Sequence, residues 1–241
     1  MKKVYVRIES VAFRGYGVAR IHGKVVFIPY TATGDRGWIE ILEEKKNYSV
    51  GRLAEIVEPS PWRVDPRCPY FGSCGGCQWQ HMDYSVHGEL KKEILRESLE
   101  RLGKLKGIPL VNVAPSPHPY EYRVRVQLKV KGKSMGYYQE GSHRIVDIDH
   151  CPISHPLVNQ IIQNLRDGSV TSLPIEEIEI NVSPMERKGT LLFHPLSFDQ
   201  RTENFLKQFL QSHPILRGIA IARKDGLELF GDPHVNFTIP S

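Results

Sequence analysis

Four cysteines are spread very unevenly along this chain, and their arrangement constrains the fold more than any other feature. Cys68, Cys74 and Cys77 form a C-x5-C-x2-C run, whereas Cys151 lies more than seventy residues downstream. Four thiolates are the ligands of a cubane iron–sulfur cluster, and runs of this kind can take one ligand from elsewhere in the chain. A centre shared by all four would close a large loop and hold two distant segments together.

Glycines inside the cysteine run suit a metal-binding loop. Gly72, Gly75 and Gly76 let the backbone fold tightly and direct N–H groups toward sulfur. Zinc is the main competitor, because His81 lies four residues after the run and would complete a site of three thiolates and one imidazole without Cys151. The spacing alone favours an iron–sulfur cluster but leaves zinc open. Without a ligand role, Cys151 would be an ordinary small buried residue.

Disulfide bonds are a weaker explanation of the cysteines. The chain passes from Met1 almost directly into the alternating residues 4–8, which do not resemble a secretory signal. We therefore expect a cytoplasmic protein, in which disulfides are rare and clustered cysteines favour metals. No apolar run is long enough for a membrane span, so we expect no membrane association. The net charge of +5 is compatible with a phosphate-backbone partner, although many basic proteins bind no nucleic acid.

The first 58 residues have the pattern of a small all-β domain. Short apolar runs are separated by glycines, Pro29 and Asp35. Five strands in so short a segment predict a closed barrel of the OB type over residues 1–58. The expected strands cover residues 4–8, 18–21, 24–28, 37–41 and 53–57. Residues 58–62, Glu-Pro-Ser-Pro-Trp, then break the pattern and indicate a linker.

Residues 59–241 predict a second, mixed domain, so the fold class expected for the chain is α+β. Apolar residues at helical spacing predict a helix over residues 84–102, with Asp83 as its N-cap and Gly103 as its stop. Asp199 is the candidate cap of a later helix. The further strands are expected near residues 122–130, 135–138, 144–148, 177–182, 189–193, 216–222 and 226–230, and the further helices near 155–166 and 200–211.

Two basic features are candidates for RNA contacts. Arg123, Arg125 and Lys129 share one face of the strand expected at residues 122–130, because strand side chains alternate. That face is either a solvated surface or a platform for phosphates. Arg14 and Arg20 flank a glycine-rich segment that has no helix behind it, so it is a tight turn and not a dinucleotide-binding loop. Both arginines are further candidates for contact with RNA.

The combination resembles the SAM-dependent RNA uracil-5-methyltransferases that begin with a TRAM domain and carry an iron–sulfur cluster. That resemblance implies a [4Fe–4S] cluster on Cys68, Cys74, Cys77 and Cys151 and a structural role for His81. It also implies that the protein is a monomer and that its partner is a structured RNA, either rRNA or tRNA. The residues that carry it are Gly15–Arg20, Gly23–Pro29, Cys68–His81, Tyr122–Arg125 and Ser142–Pro152. Val124 departs from the polar residue expected at its position.

The resemblance also implies a Rossmann-like catalytic domain, and no matching strand–glycine-loop–helix motif is recognisable in this sequence. Four cysteines for four cluster ligands leave no thiolate to act as nucleophile. We therefore expect the catalytic domain to be absent, the chain alone to be inactive, and S-adenosylmethionine to bind only if a downstream or separate methyltransferase domain is present. The predicted domains are a TRAM-like RNA-binding barrel, 1–58, and a central cluster-containing α+β domain, 59–241. The alternatives are a zinc-binding RNA adaptor and a small electron-transfer protein.

Overall fold

The computed structural model of the chain describes residues 3–237. The chain forms two compact units. The first contains residues 1–72 and 77–117, and the second contains residues 73–76 and 118–241. The first unit therefore extends well past residue 58, the boundary predicted from the sequence. A short part of the cysteine run, residues 73–76, is grouped with the second unit.

The first unit is built on one six-stranded sheet with the order β1-β5-β6-β4-β3-β2. All neighbouring strands are antiparallel except β4 and β6, which are parallel. Register shifts between β5 and β6 mark β-bulges, which bend a sheet. The sheet has one more strand than the five expected, because the short β2 pairs separately with β3. The strands are β1 (Lys3–Arg7), β2 (Ser10–Val11), β3 (Gly17–Ile21), β4 (Lys24–Ile28), β5 (Arg36–Glu44) and β6 (Tyr48–Glu58).

Alternating apolar side chains supply the core of this sheet. Val6 on β1 and Ile8 just after it pack with Val26, Ile28 and Ile39 from other strands, and all five are buried. Because strand side chains alternate between faces, the same pattern leaves polar residues on the outer face. Burial of these branched side chains stabilises the unit by about 1.5–3 kcal/mol each.

One long helix, α1 (Tyr84–Arg101), completes the first unit. The carboxylate of Asp83 accepts a 2.8 Å hydrogen bond from the Ser85 backbone N–H, which confirms the predicted N-cap. Hydrogen bonds from the Ser85 hydroxyl and from the Ser85 backbone N–H lower the pKa of Asp83. Leu90 and Ile94 on the helix pack with Trp79 against a small buried cluster that includes Met82.

The second unit is built on a seven-stranded sheet with the order β13-β12-β11-β10-β7-β8-β9. Its neighbouring strands are antiparallel except for the parallel pair β11 and β12. The helix α3 (Gln200–Ser212) connects those two strands, as a parallel pair requires. The strands are β7 (Arg125–Lys131), β8 (Ser134–Tyr138), β9 (Ile145–Asp147), β10 (Ile175–Ser183), β11 (Lys188–Pro195), β12 (Leu216–Arg223) and β13 (Gly226–Gly231).

The two helices of the second unit each bury one apolar face. The helix α2 (Pro156–Asp167) buries Ile161 and Leu165 at the spacing of one helical stripe. Asp199 accepts a 2.8 Å hydrogen bond from the Thr202 backbone N–H and caps α3, as predicted. No helix among residues 3–237 is long and apolar enough to cross a membrane.

The strand expected at residues 122–130 begins later, at Arg125. Arg123 instead forms an isolated parallel bridge with Ser154, and its backbone N–H donates to the Ile153 carbonyl at 2.9 Å. The extended segment before Arg125 thus pairs with the backbone near Ser154, whereas the segment from Arg125 onward pairs with β10. Apolar alternation predicts extended backbone, but it does not reveal where the neighbouring strand changes.

Candidate cysteine centre and nucleic-acid interface

The two units each contain two of the four cysteines: Cys68 and Cys77 belong to the first, and Cys74 and Cys151 to the second. In the first unit, the Cys68 backbone N–H donates to the side-chain oxygen of Gln80 at 3.2 Å. In the second, the Gly76 backbone N–H donates to Cys74 Sγ at 3.4 Å. This is the type of N–H···S contact that the glycines of the run predict, and such contacts stabilise negative charge on sulfur.

The segment around Cys151 is held firmly by the helix α2. The Cys151 backbone N–H donates to the side-chain oxygen of Asn159 at 2.8 Å, and the Asn159 amide donates back to the Cys151 carbonyl at 3.1 Å. The Ser154 backbone N–H also donates to the Cys151 carbonyl, at 2.9 Å, and closes a turn. Cys151 is buried, so its thiol is presented from a rigid backbone.

Buried polar atoms that lack hydrogen bonds lie next to these cysteines in both units. Six such atoms occur between residues 3 and 237. Five of them belong to Gln80, His81, Tyr137 and Ser154, each close in sequence or in electrostatic contact with a cysteine. Buried polar groups are normally satisfied. Here His81 lies close to the Thr31 backbone and Tyr137 lies close to Ser154, without hydrogen bonds of normal geometry, so these groups keep the capacity to bond a further partner. Thiols beside them are the donor set that iron or zinc requires.

Tyr137 is in electrostatic contact with both cysteines of the second unit. Burial raises the pKa of Tyr137, and the nearby side chains of Cys151 and Cys74 raise it further. Ser154 offsets part of this rise, yet the two hydroxyls do not form a hydrogen bond of normal geometry. The phenol therefore keeps its proton at neutral pH and can act as a donor toward sulfur.

His81, the fourth ligand of the zinc alternative, is almost completely buried in the first unit. Its ring packs against Phe71 and Tyr30, with centroid separations of 5.6 and 6.5 Å. Burial lowers the pKa of His81 to about 4, so the imidazole is neutral at pH 7. A neutral imidazole can bind a metal. The Thr31 backbone lies close to the His81 ring, yet neither ring nitrogen forms a hydrogen bond of normal geometry.

The basic side chains expected on one strand face are paired with acids on the neighbouring strand. Arg125 bonds Glu179 at 2.7 Å, and Lys129 pairs with Glu177. Glu177 and Glu179 also flank His194 on β11. Burial alone would raise the pKa of Glu179, but the hydrogen bonds from Arg125 and His194 lower it overall. Glu177 and Glu179 therefore already have cationic partners, and these side chains form a network of ion pairs across neighbouring strands of the sheet.

Arg14 and Arg20 lie on opposite sides of the predicted turn. Arg20 on β3 is exposed and pairs with Glu9, which lies between β1 and β2. Arg14 is exposed at a φ of 67°, in the left-handed region that non-glycine residues seldom adopt. A Cβ on Gly15, whose φ is 80°, would lie only 2.7 Å from the Trp79 ring nitrogen, so this glycine is required by close packing.

An apolar groove of about 490 Å³ lies beside this turn, entirely within the first unit. We call it the aromatic groove. Phe13 is 73% exposed at its edge, and Phe27 packs edge-to-face against Tyr48 with ring centroids 5.7 Å apart. Arg14 and Arg101 supply positive charge at the groove, and neither forms an ion pair within residues 3–237. The groove is lined by Ala12, Phe13, Arg14, Tyr16, Phe27, Tyr48, Val50, Ile94, Glu97, Ser98, Arg101 and Leu102.

Comparison with known proteins identifies the first segment. Residues 4–62 match the model of the TRAM domain of tRNA (uracil(54)-C(5))-methyltransferase. An uncharacterized RNA methyltransferase of Aquifex aeolicus is 33% identical over 88% of this chain and 49% of its own length. The chain is related to RNA methyltransferases. A 23S rRNA (uracil(1939)-C(5))-methyltransferase of Pectobacterium atrosepticum is 35% identical over 69% of this chain and 38% of its own length.

The chain spans about half the length of the relatives that it matches. Its fold is similar to that of the Pyrococcus abyssi tRNA (uracil-54, C5)-methyltransferase, which was solved in complex with S-adenosyl-L-homocysteine. The TM-score is 0.67 at 20% sequence identity, over 95% of this chain and 55% of that chain.

This match corrects the fold description expected from the sequence. The sequence predicted an α+β chain made of a TRAM-like barrel and a central domain, from which the Rossmann-like catalytic domain is absent. That description is wrong, because the α+β architecture of a methyltransferase structure accounts for 95% of the chain. The physical reason is that strand order and pairing determine a fold, whereas the sequence argument relied on one missing glycine motif and a count of thiols.

Sequence reasoning missed two features of the sites. The acidic partners of Arg125 and Lys129 lie about fifty residues downstream, on β10, and only strand register brings them together. Glu177 and Glu179 do alternate with Ile178, so they could have been assigned to one strand face. The aromatic groove combines residues from a turn, two strands and a helix, and no single sequence segment predicts it.

Proposed function

We propose that this chain takes part in SAM-dependent methylation of uracil at C5 in rRNA or tRNA and supplies RNA recognition for that reaction. S-adenosylmethionine would be the methyl donor. The TRAM-domain match over residues 4–62 and the similarity to RNA methyltransferases support this proposal. We further propose a cytoplasmic, monomeric protein whose partner is a structured RNA.

The aromatic groove is the observation that carries the proposal. Unpaired bases stack on exposed aromatic rings, and the neighbouring phosphates are met by arginines. Phe13 offers the most exposed ring at the groove, and Arg14 and Arg101 lie within reach of a backbone that follows it. Arg20, Arg123, Arg125 and Lys129 are proposed as additional phosphate contacts.

Fluorescence anisotropy with a labelled RNA hairpin, compared with a fully paired duplex, tests this function. We expect tighter binding to the hairpin, because its loop offers bases that can stack. Phe13→Ala should weaken hairpin binding by roughly tenfold, which is the loss of one base–aromatic stack. Leu227→Ala is the control, since Leu227 is similarly exposed, at 61%, in the other unit.

The salt dependence of the same binding tests the phosphate contacts. Arg14→Ala should reduce the slope of log K against log salt by about one. Arg187→Ala is a close control, because Arg187 is also exposed and also adopts a positive φ, of 52°. Binding that does not depend on salt, or equal effects of the two arginine variants, would count against the proposed interface.

We also propose that Cys68, Cys74, Cys77 and Cys151 hold a [4Fe–4S] cluster. The thiol donor set, the N–H···S contact at Cys74 and the unsatisfied polar atoms near the cysteines support it. When bound, the cluster would cross-link distant parts of the chain. A brown, anaerobically purified sample with about four irons per chain is expected.

A zinc-binding RNA adaptor is the second candidate, and one observation favours it. The buried His81 ring is neutral, and neither of its nitrogens forms a hydrogen bond of normal geometry, although the Thr31 backbone lies close to it. Such a ring can serve as a zinc ligand. In this case Cys68, Cys74, Cys77 and His81 would bind zinc, and a colourless sample containing zinc would be obtained. The metal content therefore separates the two candidates directly.

A further inference from the structure

Two neighbouring hydroxyl groups in the second unit are enclosed and lack a hydrogen bond of normal geometry. They belong to Tyr137 on β8 and to Ser154, and Ser154 is completely buried. A hydroxyl that loses water on folding without gaining a partner is unfavourable, so each such group in a stable fold calls for an explanation. Neither residue is used by the RNA interface proposed above.

Strand pairing places Tyr137 on the same face as Cys74. Cys74 forms an antiparallel bridge with Gln139, and the Gly75 backbone N–H donates to the Tyr138 carbonyl at 3.0 Å. Directly paired residues point to one side of a sheet, and so do residues two apart on one strand. Tyr137 and Cys74 are thus diagonal neighbours, a separation of about 7–8 Å that a long aromatic side chain can bridge.

Ser154 is placed by the turn that holds Cys151. Its backbone N–H donates to the Cys151 carbonyl, and the side-chain amide of Asn159 donates to the carbonyls of both Cys151 and Ser154. Cys151 also lies close enough to the Tyr137 phenol to interact with it electrostatically. Tyr137, Ser154, Cys74 and Cys151 therefore form one cluster. It holds two thiols and two neighbouring hydroxyls that do not form a hydrogen bond of normal geometry with each other.

We propose that Tyr137 and Ser154 donate hydrogen bonds to the sulfur atoms of the bound cluster on its Cys74 and Cys151 side. This inference rests on the iron–sulfur cluster of the proposed function. Hydrogen bonds to sulfur stabilise the more negative, reduced form of a cluster and therefore raise its reduction potential. They also strengthen the hold of the protein on the metal, since outer groups of this kind contribute to metal affinity.

Redox titration and chelator challenge of the anaerobically reconstituted chain test the proposal. Tyr137→Phe and Ser154→Ala should each bind iron, shift the reduction potential to a more negative value, and lose iron to a chelator roughly tenfold faster. Tyr138→Phe is the matched control. Tyr138 is the next residue on β8 and points to the opposite face, so its variant should behave like the unmodified chain.

Resonance Raman spectra give a second readout, which begins with the unmodified chain. Iron–sulfur bands of the unmodified chain should shift when exchangeable hydrogens are replaced by deuterium, and the shift should be smaller in Tyr137→Phe. Iron-loaded variants with an unchanged potential, chelator resistance and deuterium shift would overturn this inference alone. An unmodified chain that takes up no iron would overturn the cluster itself.

Discussion

The Asp35→Asn variant should unfold the first unit at a markedly lower denaturant concentration. Asp35 is 1% exposed. One carboxylate oxygen accepts from the Ser60 backbone N–H at 2.8 Å and from Arg63 Nε at 3.0 Å. The other accepts from the Ala32 backbone N–H at 2.7 Å and from Arg63 Nη2 at 2.5 Å. These bonds hold the start of the segment that carries Cys68 against the sheet.

The expected loss follows from this geometry. Whichever oxygen becomes an NH₂ group then faces two donors, so two hydrogen bonds to a charged acceptor are lost. At about 1.5–3 kcal/mol each, their loss amounts to about 3–6 kcal/mol. Removal of one partner from a buried ion pair gives a similar figure, about 3–5 kcal/mol, since the Arg63 charge stays mostly enclosed. The side chain of Arg63 is only 21% exposed.

Tryptophan fluorescence during urea unfolding measures this loss selectively. The three tryptophans, Trp38, Trp62 and Trp79, all belong to the first unit. Glu43→Gln is the control, because it removes the same charge from an exposed surface pair with Lys45 and should cost less than about 1 kcal/mol. Coincident unfolding curves for Asp35→Asn and Glu43→Gln would refute the reasoning.

Acid should remove the difference between Asp35→Asn and the unmodified chain. Burial alone would raise the pKa of Asp35, but Arg63 and the two backbone N–H groups lower it overall. A lowered folded-state pKa contributes stability that is present above the unfolded value of about 3.9 and is lost as pH falls through the folded value. The two unfolding curves should therefore converge below about pH 4.

Two further predictions concern the metal and the basic face. Cys151→Ser should abolish iron binding while His81→Ala retains it, as measured by metal analysis after anaerobic purification; the reverse pattern, with zinc, would establish the alternative ligand set. Glu177→Gln should release Lys129 and strengthen RNA binding by about two- to fivefold in anisotropy titrations. Glu176→Gln is the control, because it removes the same charge from the adjacent exposed residue. An equal gain in RNA affinity for Glu176→Gln would show that the change in net charge, and not the release of Lys129, strengthens binding.

The helices and their N-caps were predictable from the sequence, because they depend on residues that are close together in the chain. The helix expected at residues 84–102 spans Tyr84–Arg101 with its cap at Asp83, and Asp199 caps α3 as predicted. Caps and periodic apolar faces depend on residues within a few positions of one another, so the sequence contains the whole signal. The glycines of the cysteine run likewise predicted the N–H···S contact at Cys74.

The sequence by itself thus determined most of the local elements and supplied the four thiols that the proposed cluster requires. Only the tertiary structure decided that Asp35, expected merely to separate two strands, is a buried anchor for Arg63. It also paired Arg125 and Lys129 with glutamates on another strand, and placed the hydroxyls of Tyr137 and Ser154 near thiols. The reason is physical: such contacts depend on the register between strands that are distant in the chain, and register is set by the packing of the whole core.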